Sequence, residues 1–136
     1  MIPAGYQPHT RKSPLTAPWE PLFAREALDV IQIALEIREA HCNGRGFAHG
    51  GLISALADNA MGLSAVTRAR KVPGAENASA VTVSLTLDFI DTAKIGDCVE
   101  FLPSILKVGR TLAFAECRVV CGERLIARGS ASFRMV

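Results

Sequence analysis

Between His49 and Arg70 runs the one long segment of this chain that reads as a helix, and it is apolar on most sides. Leu52, Ile53, Leu56, Ala60, Met61, Leu63 and Val66 spread over much of the helical circumference. A helix of that kind does not lie on a surface; it needs walls. Arg68, Arg70 and Lys71 suit its negative end, and Pro73-Gly74 stops it. With no second helix of this type in 136 residues, the walls must be strands.

The strands show as a period of two. From Val30 to Ala40, Ile31, Ile33, Leu35 and Ile37 share one face, and Gln32, Ala34, Glu36 and Arg38 the other. Asn43-Gly44-Arg45-Gly46 breaks the pattern. Beyond the helix, Val81, Val83, Leu85, Leu87 and Phe89 alternate with Thr82, Ser84, Thr86 and Asp88, which puts Thr82 on the polar face. A strand over Cys98–Val108 follows, with Pro103 marking a bulge or an edge. Gly109-Arg110 turns into Thr111–Cys121, and Gly122-Glu123-Arg124 into Leu125–Met135. This order predicts an α+β domain: an antiparallel sheet of five or six strands wrapped around a long central helix at about 50–68. One sheet around one helix leaves edges open, so a symmetric homodimer is expected.

Composition bounds the rest. Hydrophobic residues make up 49% and charged residues 21%, as in a globular protein, and the length fits a single domain over 1–136. A net charge of +2 argues against a nucleic-acid partner while leaving room for a local anion site. No apolar run is long enough to span a bilayer, and the N-terminus lacks a signal-peptide pattern, so the expectation is a cytoplasmic protein with no membrane partner. Cys42, Cys98, Cys117 and Cys121 form neither a CxxC pair nor a zinc pattern; they read as small buried side chains in a reducing compartment, with no metal. Residues 1–21 carry Pro3, Pro8, Pro14, Pro18 and Pro21, which exclude a long helix or central strand. This arm is either loose over 1–14 or anchored through Trp19, Leu22 and Phe23.

The chemistry lies at the helix. Gly50 and Gly51 leave backbone N–H groups bare at its positive end, which suits an oxyanion. Asp58 is a lone carboxylate in an otherwise apolar stretch. Together they point to acyl transfer, with donors for a carbonyl oxygen and a carboxylate to attack or to activate water. Asp58 lies seven residues beyond Gly51, about 10 Å along the axis at ~1.5 Å per residue. Donor and base must each come within about 3 Å of the reacting group, so one helix cannot serve one carbonyl with both. Two antiparallel helices related by a two-fold axis can, which implies two sites shared across a dimer. Asn43 is a turn residue or a donor to the substrate. His49 is a helix cap or orders the loop, and Thr82 is a β-branched surface residue or holds a water near Asp58.

Asn43-Gly44-Arg45-Gly46-Phe47-Ala48-His49-Gly50-Gly51 with Asp58, followed by Val81-Thr82-Val83-Ser84-Leu85, resembles the hotdog-fold acyl-CoA thioesterases of the phenylacetate-pathway and thioesterase superfamily member 2-like branch. Thr92–Asp97, Val108–Thr111 and Ile126–Gly129 are weaker matching pieces, and the resemblance extends over about Leu28 to Phe133. It implies the hotdog fold and hydrolysis of acyl-CoA to free acid and coenzyme A. It implies that Asp58 is general base or nucleophile, that the Gly50 N–H polarises the thioester carbonyl, that Asn43 binds the leaving thiol or orients water, and that Thr82 helps hold the water. His49 and Gly51 would flank the thioester, and Arg110 is one of several basic residues that coenzyme A phosphates could meet. No cofactor is implied, since coenzyme A belongs to the substrate. Dimers, often paired as tetramers, are the implied assembly. Two other readings stand beside it: an acyl-thioester hydratase or dehydratase, which would rely on a His with an acidic partner, and a non-catalytic acyl-thioester-binding or assembly module. The arm departs from the family pattern, and a lid over the acyl pocket is one role open to it.

Overall fold

The structure, a computed structural model, describes all residues from Met1 to Val136. Seven strands and one long helix form it: β1 (Gln7–Pro8), β2 (Phe23–Ala27), β3 (Val30–Glu36), α1 (Gly50–Ala69), β4 (Ala80–Phe89), β5 (Cys98–Val108), β6 (Leu112–Cys121) and β7 (Arg124–Met135). The sheet order is β1-β2-β3-β5-β6-β7-β4, antiparallel at every pairing. The helix-and-meander order is as expected from the sequence, but the sheet has seven strands rather than five or six. The additions are β1 and β2. The β2–β3 hairpin turns on Leu28 and Asp29, both at positive φ (54° and 62°). Such two-residue turns normally carry Asn or Gly, so Leu-Asp gives no turn signal.

The helix buries a stripe, not its whole girth. Leu52, Ile53, Leu56, Ala57, Ala60, Met61, Ser64 and Ala65 are buried as adjacent pairs every four residues, the repeat of one helical face. They pack with Ile33, Leu35, Phe101, Val119 and Phe133 of the sheet. Ser64 is the polar exception: its Oγ donates to the Ala60 carbonyl (2.6 Å) and accepts the Ile31 N–H (2.8 Å), which ties the helix to β3. The opposite face, with Asp58, Asn59, Gly62, Leu63 and Val66, is only half-buried.

Two strand expectations need correction. Pro103 lies on β5, a central strand between β3 and β6, facing Cys117. The irregularity in that pairing falls between Ile105 and Lys107, beyond the proline. On β4 the alternation is interrupted, because the register with β7 shifts between Thr82 and Ser84. Thr82 faces Phe133, Leu85 faces Ala131, Leu87 faces Gly129 and Phe89 faces Ala127. Paired residues share a sheet face, and Phe133, Ala131 and Ala127 are buried. The bulge at Val83 therefore moves Thr82 onto the helix-facing side, and Val81, opposite Arg134, turns outward.

The arm is ordered. Tyr6 is buried; its hydroxyl donates to Glu100 Oε2 (2.9 Å), and the Arg25 guanidinium stacks 4.3 Å from its ring centre. β1 pairs with β2, and His9 and Thr16 are buried. At the far end Arg38 Nη2 donates to the carbonyls of Pro18 (2.8 Å) and Glu20 (2.7 Å). Between these anchors the arm follows the half-buried face of α1 in the reverse direction. Arg11 stands near Leu63 and Thr67, and Leu15 and Trp19 near Leu52 and Ala55.

Candidate active site

At the start of α1 the loop is fixed by its own hydrogen bonds. The Asn43 N–H donates to the Phe47 carbonyl (2.8 Å), the Gly46 N–H to the Asn43 carbonyl (3.1 Å), and the Ala48 N–H to the Ala93 carbonyl (2.8 Å). Asn43 Oδ1 accepts from the N–H groups of Arg45 (2.9 Å) and Phe47 (3.2 Å). Its carbonyl end is thus a turn former, and only its amide nitrogen remains as a donor to solvent.

His49 is the N-cap. Its Nδ1 accepts the Gly51 N–H at 2.8 Å, so the neutral ring carries its proton on Nε2. That bond removes Gly51 from the set of free donors. A Cβ on Gly51 would stand 3.0 Å from His49 Nδ1. The Gly50 N–H has no protein acceptor, as befits the first residue of a helix. A Cβ on Gly50 would stand 3.3 Å from Cζ of Phe89, whose ring from β4 lies over the glycine.

Asp58 lies on the half-buried face of α1, and its Oδ1 accepts the Thr82 hydroxyl at 2.7 Å. The bulge at Val83 makes this contact possible, because on the regular alternation Thr82 would point away from the helix. The second carboxylate oxygen has no protein partner. Asp58 and Thr82 line a cavity of about 270 Å³ that includes Gly62, Val66 and Phe133. Arg11, Lys12 and Arg70 line it too. The two arm residues carry no pattern that would link them to Asp58 in the sequence.

The structure thus makes two clusters along β4: Gly50 with Phe89 at one end, and Asp58 with Thr82 at the other. Within one chain they stay apart, since Asp58 is eight residues beyond Gly50, about 12 Å along the helix. Arg110 belongs to neither; it is exposed in the β5–β6 turn and does not line the Asp58 cavity.

A family model described as thioesterase superfamily matches residues 45–127, a span that holds Gly50, Asp58 and Thr82. The chain belongs to the thioesterase superfamily. It is 42% identical over 135 residues, 98% of this chain and 97% of the other, to PA0474 of Pseudomonas aeruginosa, provisionally named an esterase. Human acyl-coenzyme A thioesterase 13 is 31% identical over 97 residues, which cover 70% of this chain and 65% of that enzyme. A mutant of the phenylacetic acid degradation protein PaaI from Thermus thermophilus superposes with a TM-score of 0.76 at 28% identity, over 90% of this chain and 98% of that one. Zebrafish thioesterase superfamily member 2 does so with a TM-score of 0.72 at 28% identity, over 83% and 80%. The single helix against an antiparallel sheet is the hotdog fold of these thioesterases.

The remaining titratable side chains of this thioesterase-superfamily chain do not build a second centre. Cys117 is buried, and burial pushes its thiol up to about 12, so it is inert as a nucleophile. Cys42 is also raised by burial, and its Sγ donates to the Arg38 carbonyl at 3.4 Å. No group of three or more His, Cys, Asp or Glu side chains is placed to hold a metal ion.

Proposed function

We propose that the protein hydrolyses acyl-CoA thioesters at sites shared by two copies of the chain. The observation that carries this reading is the placement of a free Gly50 N–H and a Thr82-held Asp58 at opposite ends of one exposed edge strand. β4 is exposed at every position from Val81 to Thr86 and again at Asp88 and Phe89. If two β4 strands pair antiparallel about a two-fold axis near Leu85 and Thr86, the Phe89 end of one meets the Thr82 end of the other. The Gly50 N–H of one chain then faces Asp58 of its partner.

The chemistry follows from that pairing. The thioester carbonyl oxygen accepts the Gly50 N–H at the positive end of α1, where developing negative charge is stabilised. Asp58 of the other chain holds Oδ1 against Thr82 and presents Oδ2 to the reacting carbon or to a water on it. In the general-base route the carboxylate takes a proton from water and hydroxide adds to the carbonyl carbon. The oxyanion then collapses, the C–S bond breaks, and the thiolate leaves with the proton returned by Asp58. In the nucleophilic route Oδ2 attacks first and water cleaves the resulting anhydride. Label found in Asp58 after a single turnover in heavy-oxygen water would identify the nucleophilic route with water attacking the Asp58 side of the anhydride, because the general-base route puts the label only in the product acid. His49 favours hydrolysis over hydration: with Nδ1 accepting the Gly51 N–H, the free Nε2 of the neutral ring carries its proton and is not the base that a His-dependent hydration or dehydration needs.

The test is subunit complementation. Asp58→Ala and Gly50→Val chains, each inactive alone, are mixed by co-expression. A shared site restores turnover, because one of the two sites in the mixed dimer draws both intact residues. Two inactive parents giving an inactive mixed dimer would reject the shared site. The physiological acyl group is to be found by screening short, long and aryl acyl-CoA thioesters.

A further inference from the structure

The arm brings positive charge to the Asp58 cavity, and nothing in the chemistry at the thioester uses it. Three cations, Arg11, Lys12 and Arg70, line that cavity with Asp58 as the only carboxylate among its lining residues. Lys12 is already paired with Glu20 at 3.1 Å. Arg11 and Arg70 have no carboxylate partner; Arg70 is oriented by its Nε–H, which donates to the Ala78 carbonyl at 2.9 Å. The cavity's inner wall is apolar, formed by Leu63, Val66 and Phe133, and the Phe133 ring packs closely over Gly62. Gly62, one turn past Asp58, is a residue that disfavours helix interiors, and a Cβ there would stand 3.2 Å from the Phe133 ring. The arm is held in this position at both ends, by Tyr6 on Glu100 and by the Trp19 carbonyl on His41. The two arginines therefore stand at a cavity that begins at Asp58.

We propose that Arg11 and Arg70 form a subsite, closed by the arm, for an anionic group of the substrate whose thioester lies at Asp58. This rests on the hydrolase reading. Two parts of an acyl-CoA offer such a group: the phosphates of coenzyme A, or a carboxylate at the far end of the acyl chain. A guanidinium donates in a fork that fits either one, so the chemistry is shared and the experiment tells the sources apart.

Full-length wild type and Arg11→Gln are assayed with four thioesters of matched length: neutral and terminally carboxylated acyl groups, each on coenzyme A and on pantetheine, which lacks the nucleotide phosphates. Arg70→Gln is the second variant, with thermal melting as a check that its lost contact to Ala78 leaves the fold intact. The expected result is a rise in KM of about tenfold, selective for one anionic partner. Selectivity for the coenzyme A carrier identifies the phosphates; selectivity for the carboxylated acyl group identifies the acyl terminus. The KM of wild type for that substrate should also rise with salt, and this dependence should weaken in the variants. An equal effect on all four thioesters, or no effect on any, overturns the subsite. Asp58→Asn is run alongside. If it is inactive while Arg11→Gln is indifferent, the subsite falls and the hydrolase stands; if it keeps full turnover, the role given to Asp58 falls; and if wild type hydrolyses none of the four thioesters, the hydrolase reading itself falls.

Discussion

The two edges of the sheet are finished in opposite ways. At one edge β1 is two residues long and belongs to the arm itself, and the Arg25–Glu100 ion pair lies in its neighbourhood. Such an edge offers no ladder to another strand. At the other edge β4 runs for ten residues with Val81, Val83 and Phe89 more than half exposed and Ile90 just beyond them. A long bare apolar strand is a template for pairing, and natural proteins rarely leave one uncovered. The catalytic candidates gather at the bare edge: Thr82 and Phe89 are on β4 itself, each touching one of the two residues that the proposed chemistry brings together. The closed edge stabilises the single chain; the open edge is where a second chain would complete the site.

The largest effect should come from removing the carboxylate. Asp58→Asn is expected to lower kcat by ~10²-fold or more, the range for a lost acid or base, with assembly unchanged in sedimentation. Next is the edge. Val83→Glu with Phe89→Glu puts like charges on a strand that would face its own copy, and should yield monomers with turnover reduced by about 10²-fold as the partner's Gly50 N–H is lost. An active monomer would reverse the comparison, making the open edge irrelevant to the site. Thr82→Val is a smaller perturbation: it removes the hydroxyl from Asp58 Oδ1 and should lower kcat three- to tenfold, on the order of a hydrogen bond to a charged group at an exposed position, with Thr82→Ser restoring most of it.

How far these edges could be read from the sequence differs by element. The helix and the β5–β7 meander were legible because the helix has a sustained apolar pattern and the strands are separated by Gly-bearing turns, although register shifts interrupt the pairings of β5 with β6 and of β6 with β7. The β2–β3 hairpin was not, since Leu28-Asp29 holds a conformation those residues rarely adopt. β4 was legible as a strand but not in its facing. Its alternation runs through Val83 unbroken, and only the register with β7 shows that a residue is looped out there. That single bulge decides whether Thr82 meets Asp58. Of the site, Asp58, Gly50 and the cap at His49 stand out by position in one helix. Arg11 and Lys12 do not, because a proline-rich arm has no periodicity to say which surface it crosses. Gly51 looked equivalent to Gly50, and only the His49 bond separates them.

That bond sharpens the comparison at the helix start. Gly51→Ala would bring a Cβ to 3.0 Å from His49 Nδ1, so the ring must shift and the cap weaken, against the better helix propensity of Ala; its effect should be on melting temperature and small, while the Gly50 N–H stays free. Gly50→Val should instead displace the Phe89 ring from β4 and impair turnover more than melting temperature. Equal effects of the two on turnover would show that the free donor is not confined to Gly50.

The smallest effect belongs to the closed edge and is read through pH. Burial holds His9 and His41 below the usual imidazole value, against the Trp19 carbonyl at His41 and Glu20 near His9, which favour the proton, and with Arg38, Arg11 and Lys12 opposing it. His41 Nδ1 accepts the Arg38 N–H at 3.0 Å and its Nε2–H donates to the Trp19 carbonyl at 2.9 Å, so the neutral ring pins the end of the arm. The unfolded chain takes up these protons near pH 6.5 while the folded one does not, so the unfolded state binds more protons below that pH. Stability is therefore level above about pH 7 and declines as pH falls through about 6.5 toward the lower folded values. Melting temperature should drop by a few degrees over that window. His41→Asn, whose amide can donate and accept without titrating, should flatten part of the decline. If the slope is unchanged in that variant and in His9→Gln, these histidines are not what acid loosens, and the arm is held by Tyr6, β1 and the Arg38 contacts to Pro18 and Glu20.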